Sequence, residues 1–142
     1  MTTRPRAAGS HRRDNAGGAL TIGKVLSAAL LLAMGAIHLY LVFDGVGGLL
    51  GVLFVLNAVG GLVLAIAMLV LRGGLLTLAS VLSLLFMVGT LLSLVLALTV
   101  GLFGITESLD FTLVPTTLVV ESIGTVVLAV TTALLLRGRR TA

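Results

Sequence analysis

Four long apolar runs, separated by short polar or glycine-rich breaks, make up most of this chain. They cover about residues 20–43 (interrupted early by Lys24), 49–71, 75–103 and 113–136. Each is continuous and rich in Leu, Val and Ala, without the short alternating segments of a membrane barrel. About 20 apolar residues cross the ~30 Å hydrocarbon core as a helix, so each run predicts a transmembrane helix. The first run is too long for a signal peptide, whose apolar region spans about 7–15 residues. The expected fold is all-α: a polytopic membrane protein whose four transmembrane helices form an antiparallel bundle.

The breaks read as turns. Residues 44–48, DGVGG, and Arg72-Gly73-Gly74 are short and glycine-rich. Residues 104–110, GITESLD, form an acidic connection. Pro115 falls in the first turn of the fourth run, where its missing N–H costs little. Thr112 or Asp110 offers a cap there. Residues 1–18 are polar and basic with almost nothing to bury, which predicts a disordered cytoplasmic tail, with His11 a solvated member of it. The transmembrane domain is expected over 19–137, and residues 138–142 form a second basic cytoplasmic tail.

Composition agrees with a bilayer as solvent. The 142 residues are 58% hydrophobic and 10% charged, with mean hydropathy +1.27. A soluble domain carries about 25% charged residues, and one of this size leaves too much surface in water to hide so many apolar side chains. Cysteine is absent, which excludes disulfides, thiolate nucleophiles and metal–sulfur sites. Tryptophan is absent and Tyr40 is the single tyrosine, so the aromatic belt is thin.

The net charge of +4 becomes informative through position. Arg4, Arg6, Arg12 and Arg13 lie in the first tail, Arg72 in the second break, and Arg137, Arg139 and Arg140 at the end. Lys24 can snorkel to the same membrane face. Asp44, Glu107 and Asp110 occupy the other two breaks, which hold no basic residue. Positive-inside bias then places both termini in the cytoplasm, N-in and C-in. The charge is a topology signal and implies the bilayer, with no nucleic-acid partner.

Three polar residues fall inside the runs. His38 lies six residues before Asp44, about 9 Å below the outer interface. Asn57 and Glu121 lie about 12–15 Å deep on the second and fourth helices. All three share one level in the outer half. A charged carboxylate near the membrane centre costs at least about 2.5–3.5 kcal/mol, so Glu121 needs a proton or a partner. A Glu121–His38 hydrogen bond with Asn57 nearby would satisfy all three. Two readings stand: a proton-handling or ligand-binding pocket open to the outside, or a polar clamp that fixes helix packing. The hydroxyls of Ser80, Ser83, Thr90, Ser93 and Thr99 can bond back to their own helix.

Small residues suggest how the helices associate. Gly89, Ser93, Ala97 and Gly101 recur every four residues on helix three, where another backbone can approach, in a second copy or a larger membrane complex. Gly35 with His38, and Asn57 with Gly60 and Gly61, mark faces of helices one and two. No catalytic, cofactor or metal set is expected: one membrane histidine cannot hold a bis-histidine haem, and no spacing motif joins Asp44, Glu107 and Asp110 to His38 in a metal site. Phosphate loops, G-x-S-x-G and an internal repeat are absent.

The run GAIHLYLVFDG followed by GVLFVLNAVGGLVLAIAML resembles small four-helix membrane proteins of actinobacteria. In these a His-Leu pair ends the first helix, an F-x-L-N/Q-A/G segment opens the second, and a late acidic residue is matched here by Glu121. The resemblance implies a bacterial plasma-membrane location and no established activity. The function expected from the chain is a non-enzymatic accessory or assembly subunit packing through helix three. The alternative is a small transporter or proton-coupled factor using Glu121, His38 and Asn57.

Overall fold

The computed structural model describes residues 8–102, 104, 106–111 and 113–140, with side chains from Gly17 onward. Residues 1–7 and 141–142 of the expected tails, the expected helix end at Phe103 and the candidate cap Thr112 lie outside the described residues. The described chain is all-helical: α1 (Ala8–Phe43), α2 (Gly48–Val70), α3 (Gly73–Thr99) and α4 (Val114–Arg140). Each is long and apolar enough to cross a membrane, α1 through its part Gly17–Phe43.

Three boundaries differ from the sequence expectation. Helix α1 begins at Ala8, so residues 8–18 continue the helix where a disordered tail was expected. No proline interrupts that stretch, so the helix continues into it even though Gly9, Gly17 and Gly18 are poor helix formers. Helix α4 likewise runs through Gly138 to Arg140, and its last turn carries Arg137, Arg139 and Arg140, where cations complement the helix dipole. Helix α3 stops at Thr99. Gly101 takes φ +82° and its N–H turns back 2.9 Å onto the Leu96 carbonyl, which also accepts from Val100 N–H. Only glycine enters this left-handed region freely, so Gly101 ends the helix and does not extend its stripe.

Helix α1 packs most extensively on α2, and α4 lies against both α1 and α3, while α2 and α3 are the most sparsely packed of the neighbouring pairs. The tightest approach of one helix backbone to another at a glycine is between α1 and α2. A Cβ on Gly35 would stand 3.2 Å from the Ala58 carbonyl oxygen, and one on Gly61 2.8 Å from that of Leu31. Between these helices and α4 the core closes on Leu31, Met34, Met68, Met87 and Leu128, all fully buried. Three of these are methionines, whose flexible thioethers fill irregular gaps between helices.

Hydroxyl pairs join the helices at the end bearing the α2–α3 turn. Ser80 Oγ and Thr132 Oγ1 are 2.7 Å apart, and Ser27 donates to Thr131 at 3.4 Å. The Arg139 guanidinium lies against Gly74 at the same end. Around the outside, Leu62, Ile66, Leu78, Leu85, Ile123 and Val126 are each half exposed or more. A continuous apolar exterior of this kind suits lipid rather than water.

Candidate functional site

The other end of the bundle, carrying the α1–α2 turn and the α3–α4 connection, does not close. A cavity of about 630 Å3 lies there, lined from all four helices. Ligand cavities typically fall in the range of about 300–1,000 Å3. Its walls are mainly apolar. Leu56 of α2 and Leu85 of α3 both line it and are 60% and 62% exposed, on the two neighbouring helices that pack most sparsely.

His38, Asn57 and Glu121 all line this cavity. They are 8%, 9% and 0% exposed. His38 sits one turn beyond Met34 on α1, and its Nδ1–H donates to the Met34 carbonyl at 2.9 Å. That bond leaves Nε2 as the ring nitrogen with a lone pair in the neutral form. Phe54 of α2 packs perpendicular to the ring, with centroids 4.8 Å apart and planes at 89°. Asn57 follows Phe54 by three residues and so shares its face. Its Oδ1 is buried without a hydrogen-bond partner.

Glu121 comes from α4, one turn after Thr117, and both of its carboxyl oxygens are buried without a hydrogen-bond partner. The expected Glu121–His38 hydrogen bond is not formed. His38 spends Nδ1 on its own helix, and the neighbouring hydroxyls are committed elsewhere. Thr90 stands beside Glu121 but donates to the Met87 carbonyl at 2.9 Å. Thr117 donates to Leu113 at 2.8 Å and Ser93 to Gly89 at 2.8 Å. Each polar residue of α3 facing the cavity thus satisfies itself locally, as helical Ser and Thr can, and Thr90, the hydroxyl near enough to act on the carboxyl, bonds to Met87.

The helix-three stripe is not packed along its whole length: Ala97 is buried, but Gly89 and Ser93 are exposed. A Cβ on Gly89 would meet nothing within 4 Å, Ser93 is exposed, and both line the cavity with Ala97. The close contacts with other helices fall on Gly23, Gly35, Gly60, Gly61 and Gly124 instead.

Other lining residues went unmarked in the sequence. Phe54, Phe86 and Phe111 border the cavity, as does Glu107. Glu107 reads as a solvated loop charge, yet its N–H bonds to the Ala97 carbonyl at 3.0 Å and draws the connection back over the end of α3. Only the Phe54–Asn57 spacing carried a sequence signal for any of them. Asp44 and Asp110 are exposed, away from the cavity. Among the described residues no three His, Asp or Glu side chains are grouped to hold a metal ion. No family model, curated protein or solved structure matches the chain.

Proposed function

We propose that this chain is a multi-pass protein of a bacterial plasma membrane whose cavity binds and passes a small amphipathic molecule without transforming it. The observation that carries this reading is Glu121: a fully buried, unpartnered carboxyl bordering a largely apolar cavity. Buried polar atoms normally have partners, and one left without is costly unless a ligand or a proton completes it. The proposed orientation puts both termini in the cytoplasm with antiparallel neighbours, since the basic residues fall at the tails and the α2–α3 turn and the acidic ones at the other connections. The cavity then lies in the outer half of the membrane.

The accessory-subunit reading rests on the α3 stripe. Gly89 and Ser93 border the cavity, so the geometry favours binding over docking. The test uses purified protein in lipid nanodiscs and an uncharged naphthalene dye that brightens in apolar surroundings. Saturable binding near one dye per chain, lost in Gly89→Trp, is the expected result. The tryptophan suits this role because Gly89 borders the cavity and a Cβ there meets nothing within 4 Å, so the indole has room to start into the cavity. Non-saturating uptake equal in both proteins sinks the reading.

A further inference from the structure

The lining of the cavity is chemically one-sided. Its titratable groups are Glu121 from α4, His38 from α1 and Glu107 from the α3–α4 connection. Helices α2 and α3 bring none, and among the described residues no lysine or arginine borders it. Three of the chain's five phenylalanines, Phe54, Phe86 and Phe111, do. Carboxylates attract positive charge, and aromatic faces attract it further where water is excluded. His38 is the one group in the wall that can carry positive charge, and its Nδ1–H is already spent on the Met34 carbonyl.

From this complementarity, and resting on the reading of the cavity as a binding site, we infer that its ligand is a lipophilic monocation that exchanges with a proton on Glu121. Charge on a carboxylate at this depth is stable only when neutralised. A proton does so in the empty cavity. When the cation arrives, the carboxyl O–H bond breaks, the proton passes to water, and the cation takes its place as counter-charge. No electrons move and no co-reactant is needed. One buried carboxyl matches one charge. The apolar walls match a charge carried within a bulky hydrocarbon body, and the sparsely packed pair α2 and α3, with Leu56 and Leu85 exposed, is the route by which such a body arrives from the bilayer. Glu121 has no exposed surface, so the cation approaches a carboxyl without water of its own, where the attraction is least screened.

The experiment measures binding of tetraphenylphosphonium to the full chain in nanodiscs, with triphenylphosphine oxide as an uncharged comparator of similar shape. The expected result is saturable binding of the cation that tightens about tenfold or more between about pH 5 and about pH 8 and releases about one proton per cation in weak buffer. Glu121→Gln weakens binding of the cation by about tenfold or more relative to binding of triphenylphosphine oxide by the same variant, and Glu121→Asp restores part of it. Should Glu121→Gln also lose the dye, the comparison within the wild-type protein decides. Cation binding that rises with pH while binding of the phosphine oxide stays flat upholds the exchange; parallel behaviour of the two overturns it. Dye binding with a cation affinity indifferent to pH and to Glu121→Gln overturns the monocation inference and leaves the binding reading standing. Binding of neither probe nor dye overturns both.

Discussion

Gly61 of α2 stands directly against Leu31 of α1: a Cβ built on the glycine would lie 2.8 Å from the Leu31 carbonyl oxygen, with the Gly35 Cα 3.7 Å away. The obstructing atom belongs to helix backbone and cannot rotate aside. Gly61→Ala must therefore push α1 and α2 apart where they are closest. Overpacking of this kind costs about 1–3 kcal/mol. Gly89→Ala adds the same methyl to open space and should change stability by less than about 0.5 kcal/mol. Reversible unfolding in mixed detergent micelles compares the two. Equal losses would mean that the α1–α2 contact is not the tight one.

The Ser80–Thr132 pair makes a second, smaller claim. Its hydroxyls are 2.7 Å apart and buried between α3 and α4. Interhelical polar pairs in membranes contribute about 0.6 kcal/mol on average and at most about 1.7 kcal/mol. Ser80→Ala, Thr132→Val and the double variant should close a cycle with a coupling of that size, because either single change already removes the bond. A coupling of zero in the same unfolding assay would show the two hydroxyls to be independently satisfied.

Much of this architecture was legible because apolar runs of membrane length define themselves. The second run, read as 49–71, forms a helix over Gly48–Val70. The end of α3 was not legible, since Leu102 continues the apolar pattern past Thr99 and only the backbone turn at Gly101 cuts it. The shared level of His38, Asn57 and Glu121 followed from rise per residue, and all three line one cavity. Their bonding did not follow, because His38 could choose a carbonyl of its own helix over a carboxyl on another. The glycines show the same limit. Gly61 and Gly89 look alike in sequence, yet the rotation of each helix puts one against backbone and the other beside empty space.

Met87 gives a test of how the core yields. A Cβ on Gly124 would stand 2.7 Å from the Met87 methyl and 3.1 Å from its sulfur. Both atoms sit at the far end of an unbranched, flexible side chain, which can swing away. Gly124→Ala alone should cost less than about 1 kcal/mol, well below Gly61→Ala. Met87→Ile replaces the flexible chain with one stiff at χ1. The Met87→Ile/Gly124→Ala variant should then lose at least about 0.5 kcal/mol more than the two singles summed. Additive losses would place the accommodation in the backbone of α4 rather than in Met87.

The proposed orientation has a direct chemical reading, because the chain has no cysteine and any introduced thiol is unique. Ser108 is exposed in the α3–α4 connection, and Gly138 is exposed near the end of α4, with nothing within 4 Å of where its Cβ would stand. Neither is a charged residue, so Ser108→Cys and Gly138→Cys leave untouched the basic residues that set topology. A membrane-impermeant maleimide applied to intact spheroplasts should label Ser108→Cys and spare Gly138→Cys, which should react only after the membrane is opened. The reverse pattern would place the cavity in the cytoplasmic half, against the charge distribution. Labelling of both in intact spheroplasts would mean two orientations in one population. That outcome has its own control: adding two lysines beside Arg72 strengthens the cytoplasmic bias of the α2–α3 turn and should return the population to the single pattern.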